Sequence, residues 1–257
     1  MKEFENHWAI ILGGSSGLGL ASAKKLASHG INICIVHRDR KSNLDVFQKE
    51  VKTMESFGGE VKTFNRDALS NDVRNDIVKH FQKNSVKLLL HSIAKGSLKA
   101  MNGEKSEVLS KQDLDITIHA MATSWYEWTQ ALIQNEVFTE KARNIAFTSE
   151  GNSRVWSGYG SVSAAKSVLE ALMRNMAVEL VSKKMTTNCI QAGTTATPSF
   201  KMIPGSDELA AMAKKRNPFK RLTQPEDVAN VVYLLCKKEA DWINGTIVKV
   251  DGGESLR

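Results

Sequence analysis

Tyr159 and Lys166 stand seven residues apart in the stretch SEGNSRVWSGYGSVSAAK, which runs from Ser149 to Lys166. At about 100° per residue, seven positions return to within about 20° of the same helix face two turns on, so both side chains can point into one site. A phenol can donate a hydrogen bond to a carbonyl that is gaining negative charge. A neighbouring ammonium can lower the phenol pKa or bind ribose hydroxyls. An interfacial tyrosine beside a solvated lysine is the competing reading of such a pair.

A second group of residues suits a phosphate-bearing ligand. Gly13-Gly14-Ser15-Ser16-Gly17-Leu18-Gly19 follows the apolar run WAIIL. Glycines at 13, 17 and 19 let the backbone turn tightly and approach a pyrophosphate, whose charge then sits at the following helix N-terminus. Ser15, Ser16 and Leu18 complete the turn, and its spacing is GxxxGxG where GxGxxG is commoner. Farther on, His37-Arg38-Asp39-Arg40 closes a second apolar run, at the place where an acid would bind the ribose diol of NAD. A basic residue there suits a 2′-phosphate, so NADPH is expected rather than NADH, with Arg38 first and Arg40 second. A solvated charge run is the alternative, since Asp39 lies between the two arginines. In Asn65-Arg66-Asp67-Ala68, the carboxylate can accept from an adenine amino group.

These residues matter only if the fold gathers them, and the apolar pattern predicts that it does. Short runs rich in Ile and Val alternate with longer stretches of helical spacing, which implies βαβ units. Strands are expected at 8–12, 31–36, 61–65, 86–90, 144–148, 185–190 and 246–250. Helices are expected at 17–29, 41–57, 71–83, 111–136, 160–181 and 225–236. Seven parallel strands with helical crossovers make one doubly wound sheet with helices on both faces, a single Rossmann-type α/β domain over 1–257. Ligands of such sheets bind beyond the C-terminal strand ends. Periodicity stops in 192–221, which holds Pro198, Pro204 and Pro218 and a possible short helix near 207–215. A loop of that length in a compact domain is usually a lid or binding segment. Trp125 and Trp128, three apart on the long helix, read as core or subunit packing.

Composition bounds the classes. The chain has 257 residues, of which 42% are apolar and 25% charged, with 4 Pro, so it can bury a full core. Its three cysteines lie far apart and offer neither a disulfide framework nor a metal-site spacing. Met1 to His7, with Lys2, Glu3 and Glu5, lacks the layout of a signal peptide, and no apolar run is long enough to span a membrane. The net charge of +7 attracts acidic partners through its field, with simple solubility the commoner explanation. The basic residues are dispersed without interleaved aromatics, however, so no nucleic acid is expected. No metal is expected either.

Taken in order, these residues resemble the short-chain dehydrogenase/reductase family over essentially the whole chain. The matching pieces are the Gly13 to Gly19 turn, Asp67, Ser149, Tyr159 with Lys166, Gly193 followed four residues later by Thr197, and Asp251-Gly252-Gly253. Most members place the catalytic tyrosine four residues before the lysine, where this chain has Val162. Six residues between Tyr159 and Lys166 is the spacing of the enoyl-acyl-carrier-protein reductase branch. His91-Ser92-Ile93-Ala94 and Thr117 agree with that branch, and KSVLEALMRNMAVEL and VDGGESLR resemble its NADPH-using members. In two places the chain departs from the branch: Ser149 stands where a second tyrosine is common, and Leu12 where a threonine usually precedes the glycine turn.

The resemblance implies an NADPH-dependent reduction of the trans-2 double bond of an enoyl thioester, carried on acyl carrier protein or coenzyme A, in fatty acid synthesis. It also implies a cytoplasmic homotetramer. Tyr159, Lys166 and Ser149 would be catalytic. Ile93 and Lys166 would lie near the cofactor ribose, and Thr195 and Thr197 would hold its carboxamide and phosphates. A lid at about 197–221 would close over the acyl chain, and Lys214, Lys215, Arg216, Lys220 and Arg221 beside it could attract an acidic carrier. Carbonyl reduction through Ser149 and Tyr159 in a shifted pose, and a non-catalytic NADPH-binding sensor, are the alternative functions.

Overall fold

The computed structural model describes residues 4, 6–104, 108–203 and 205–257. Lys2, Glu3, Glu5 and Pro204 lie outside them. Seven strands, β1 (Trp8–Leu12), β2 (Asn32–His37), β3 (Val61–Asn65), β4 (Val86–His91), β5 (Phe138–Thr148), β6 (Thr186–Ala192) and β7 (Ile247–Val250), form one parallel sheet. Its order is β3-β2-β1-β4-β5-β6-β7. The chain builds outward from β1 to β3 and then crosses back to place β4 on the other side of β1. The crevice between the ends of β1 and β4 is therefore the topological switch point.

β1 is apolar at every position and β2 from Ile33 to Val36, because both faces are covered. Ala9, Ile11, Ile33 and Ile35 point to one face and pack against α1 (Gly17–Ser28), α2 (Lys41–Glu55) and α9 (Pro225–Cys236) through Leu26, Val51 and Val232. Ile10, Leu12, Cys34 and Val36 point to the other, against α3 (Asn71–Val78), α5 (Ser124–Gln134) and α6 (Gly160–Glu179). Trp125 and Trp128 are fully buried there, and their indoles donate to Asn144 Oδ1 at 2.6 Å and to the Ala68 carbonyl at 2.8 Å. Their position is core.

Three elements differ from the sequence expectation, the first being the helix expected over 71–83, which ends at Val78. The helix expected over 111–136 is α4 (Lys111–Ile118), a π-helical turn at His119–Thr123, and α5. Hydrophobic periodicity does not register one wide turn. It lies where the Ser124 hydroxyl donates to the Ala120 carbonyl and pairs with His91 Nε2. The fifth strand starts six residues earlier than expected because Lys141, with φ +57°, lets the strand bulge: Val86 pairs with Phe138, but Leu88 pairs with Arg143. The polar opening of this strand, TEKARN, hides it from an apolar count.

The lid region contains α7 (Pro198–Lys201) and α8 (Ser206–Arg216). Among the described residues no helix is long and apolar enough to cross a membrane. A cavity of about 470 Å³ at the opposite end of the sheet, near Lys141, Arg143 and Lys184, has its cations already paired with Asp241 and Glu140.

Candidate active site

At the switch point the glycine turn is locked against β4. Ser92 N–H donates to the Leu12 carbonyl at 2.8 Å, and Gly13 N–H to that of Val36 at 2.9 Å. Gly13 has φ +83°, and a Cβ there would stand 2.7 Å from the Ser92 carbonyl oxygen. A Cβ on Gly19 would collide with the Gly13 carbonyl. Only glycine fits both places. The N-terminus of α1 carries no side-chain cap from Ser16 and no acid in its first turn, so its N–H groups face outward without a partner side chain. Such an end suits a pyrophosphate. Ser15 and Leu18 are half-buried at this turn, and Ser16 is exposed. The Thr197 side chain lies against Gly17, so the start of the lid borders the same cradle.

The adenine end is drawn together by charge. Arg38 pairs with Asp67 at 2.9 Å, both partly exposed, while the other Asp67 oxygen accepts from Leu69 N–H. Asp39 turns inward: its carboxylate takes His37 Nδ1 at 2.8 Å, and its backbone exchanges two hydrogen bonds with the Asn65 side chain. Arg38 and Arg40 are left as the exposed charges at the end of β2. Ala68 is buried, with its carbonyl held by Trp128. A 2′-phosphate fits this arrangement, since Arg38 can exchange Asp67 for a second anion without exposing a buried charge.

Beyond β5, Ser149 begins a turn that returns to Tyr159, the residue before α6. Tyr159 is not yet helical, with φ −96° and ψ 3°, so it reaches the site from the helix cap and not from the helix face that its spacing suggests. It packs against the buried cluster of Met121, Val162 and Ala165, which Leu98 and Ile118 also cover, with Trp156 edge-on to its ring at 5.3 Å. A Cβ on Gly151 would enter that ring. Burial pushes the Tyr159 phenol up, and the nearby Ser149 hydroxyl partly offsets this. The Ser149 oxygen is buried and makes no hydrogen bond of ordinary geometry. Val162, four residues before Lys166, is sunk in the apolar cluster.

Lys166 is buried, and its ammonium donates to the Phe147 carbonyl at 2.8 Å. Burial pulls it down to about 8, against the opposing pull of Cys189 and Glu170. His91, at the end of β4, is held neutral by burial and by the Lys166 charge, down to about 3. Thr117 is fully buried and tied to Ser97 N–H and the Asp113 carbonyl.

Other expected residues are committed to local structure. Thr195 is buried and donates to the Gly193 carbonyl at 2.8 Å; Thr197 caps α7 by accepting from Phe200 N–H. Ile93 is half-buried beside the switch point. Of the five basic residues near the lid, Arg216 faces inward onto Glu150 and Glu254, and Arg221 is paired bidentately with Asp227. Lys214 and Lys215 remain as exposed charges on α8, with Lys220 folded back onto the Lys215 carbonyl. Two buried acids were missed from sequence, Glu170 and Glu254. Glu170 had a signal, a carboxylate on the apolar stripe of α6 between Leu169 and Met173.

The family described as Enoyl-(Acyl carrier protein) reductase matches residues 13–255. A probable 2,4-dienoyl-CoA reductase ((2E)-enoyl-CoA-producing) of Bacillus subtilis (strain 168) is 30% identical over 262 residues, 98% of each chain. A short-chain dehydrogenase/reductase from Serratia marcescens BCRC 10948 superposes with a TM-score of 0.83 at 25% identity, over 98% of this chain and 99% of that one. The enoyl-acyl-carrier-protein reductase (NADH) of Aquifex aeolicus VF5 has the same fold, with a TM-score of 0.83 at 22% identity over 99% and 98% of the two chains. The glycine cradle and the sheet order thus have the setting that the match along nearly the whole chain requires: the chain belongs to the short-chain dehydrogenase/reductase family of nicotinamide-dependent oxidoreductases and resembles its enoyl-acyl-carrier-protein reductase branch.

Proposed function

We propose that the protein reduces the trans-2 double bond of an enoyl thioester with NADPH, the thioester being carried by acyl carrier protein or coenzyme A. The observation that supports this reading best is that Val162, at the position four residues before Lys166, lies in the apolar cluster, which leaves Tyr159, seven residues before Lys166, to supply the phenol. Of the three tyrosines in the chain, Tyr126 lies on α5 and Tyr233 on α9, which supports Tyr159, at the cap of the helix that carries Lys166, as the catalytic phenol. The Bacillus relative, described as acting on a dienoyl thioester, supports a carbon–carbon double bond as the target.

When bound, NADPH supplies the hydride added at Cβ. Arg38 and Arg40 would hold its 2′-phosphate and the bare end of α1 its pyrophosphate, with Ile93 and Lys166 near its ribose and Thr195 and Thr197 toward its carboxamide and phosphates. Tyr159 keeps its proton, as its burial favours, and presents it to the thioester oxygen as negative charge arrives there. Lys166 supplies positive potential to the same place, and solvent delivers the proton to Cα. Ser149, facing Tyr159, also suits reduction of a ketone, and this is the second reading. Assembly as a homotetramer and synthesis of fatty acids accompany the first.

The test follows NADPH consumption with crotonyl and acetoacetyl thioesters side by side. Turnover of crotonyl thioester alone, lowered about 10²-fold or more in Tyr159→Phe, is the expected result. Activity on acetoacetyl thioester alone would move the protein to carbonyl reduction.

A further inference from the structure

The turn that carries Ser149 is held from beneath by a carboxylate that no step above uses. Glu170 lies on α6 one helical turn beyond Lys166 and is 5% exposed. One of its oxygens accepts from the Thr148 hydroxyl at 2.6 Å, and the other from the Asn152 amide at 2.6 Å. Thr148 and Asn152 bracket Ser149, Glu150 and Gly151. Those residues form the wall against Tyr159, with Gly151 pressed on the ring and the Ser149 hydroxyl beside the phenol. A buried carboxylate is costly unless its hydrogen bonds are made, so the two donors and the acid fix one another.

We propose that Glu170 is a positioning residue: its single carboxylate grips both ends of the 149–151 turn and so sets the place of Ser149 and of the Tyr159 ring. It rests on the reading that Tyr159 is the proton donor. The same carboxylate, with Cys189 of β6, favours the charged Lys166 against its burial, and the Lys166 charge in turn holds His91 of β4 neutral. Glu170 therefore acts on the turn beside Tyr159 by hydrogen bonds and on Lys166 by charge, from one point on α6.

Asn152 offers a way to separate grip from charge. Its Oδ1 is buried without a partner, so in Glu170→Gln the Asn152 amide can turn over and accept from the glutamine. Both ends of the turn stay tied in that variant, whereas Glu170→Ala releases both. The chain has only three tyrosines, so labelling tyrosine Cζ with 13C gives three resonances, and Tyr159→Phe assigns one of them.

In the protein without cofactor, Glu170→Ala is expected to move the Tyr159 resonance toward that of the more exposed Tyr126, leaving Tyr126 and Tyr233 in place. Turnover on crotonyl thioester falls about 10- to 100-fold with KM within about 2-fold, as a misplaced catalytic group would give. Glu170→Gln keeps the wild-type Tyr159 resonance. A folded Glu170→Ala with an unmoved Tyr159 resonance overturns the proposal. So does a Glu170→Gln resonance displaced as far as that of the alanine variant. If Glu170→Ala does not fold, Asn152→Ala takes its place, since it frees one end of the turn and is held to the same resonance criterion. The resonance needs no turnover. A wild type inactive on every enoyl thioester therefore refutes the proposed function while leaving the grip decided by the spectrum.

Discussion

Lys166 is expected to weaken the folded protein that it serves. The residue is 7% exposed, and burial takes its ammonium from the ordinary value of 10.5 to about 8. That difference corresponds to about 3 kcal/mol of cost for carrying the charge in the folded state. Below pH 8 the folded and unfolded chains are both protonated there, so the full cost is present. Between pH 8 and 10.5 the unfolded chain binds the extra proton, and stability rises with pH as the cost is relieved. Lys166→Met removes the charge but also the hydrogen bond to the Phe147 carbonyl, worth about 1 kcal/mol net. The variant should therefore be more stable than wild type by about 1–2 kcal/mol near pH 7 and inactive. By about pH 9.5, where less than half of the cost remains, the gain should be gone. Urea unfolding of the two proteins at both pH values, without cofactor, measures this directly. A variant that is less stable at pH 7, or a difference that stays constant from about pH 7 to 9.5, would refute the reasoning that Lys166 is held charged against its burial.

Three further outcomes follow from the geometry. Arg38→Ala should weaken NADPH binding by about 10-fold or more, the size of one charge-assisted contact, and leave NADH within about 2-fold; equal losses for both cofactors in a fluorescence titration would show that Arg38 does not read the 2′-phosphate. Arg216→Met strips Glu254, which is 2% exposed and otherwise held by Thr194, of its cation. A stability loss of about 3 kcal/mol in urea is expected, and a change below about 0.5 kcal/mol would mean that the charges around the base of α8 are solvated after all. Gly13→Ala forces a Cβ at φ +83° onto the Ser92 carbonyl, at a cost of about 1–2 kcal/mol for the backbone alone. NADPH affinity should fall by at least about 10-fold, and calorimetry showing wild-type affinity would remove Gly13 from the cradle.

How much of this was legible beforehand depends on the range of the interaction that decides it. β1, β2, α1 and α9 are written locally: apolar runs of strand length, a glycine with φ +91° at Gly30, and Pro225 at the first turn of a helix. The π turn at 119–123 and the bulge at Lys141 were not legible, because each depends on what packs against it from elsewhere in the chain. The same division runs through the site. Arg38 and Asp67 were named separately as ligand contacts, yet they are 29 residues apart and meet as an ion pair. Asp39, which stood between two arginines as an obstacle to reading a phosphate site, is turned onto His37.

What the sequence determined by itself is the alternation that forces a parallel doubly wound sheet, the glycine turn after its first strand, and the spacing of Tyr159, Val162 and Lys166. Periodicity and local backbone chemistry act over a few residues and are visible in them. Tertiary structure alone decided that Tyr159 stands at the cap of α6 and not on its face, that Glu170 ties down the turn beside it, and that Arg216 is paired with Glu150 and Glu254. A buried charge must find its partner wherever the fold brings one. That partner can lie tens of residues away, where no local pattern marks it.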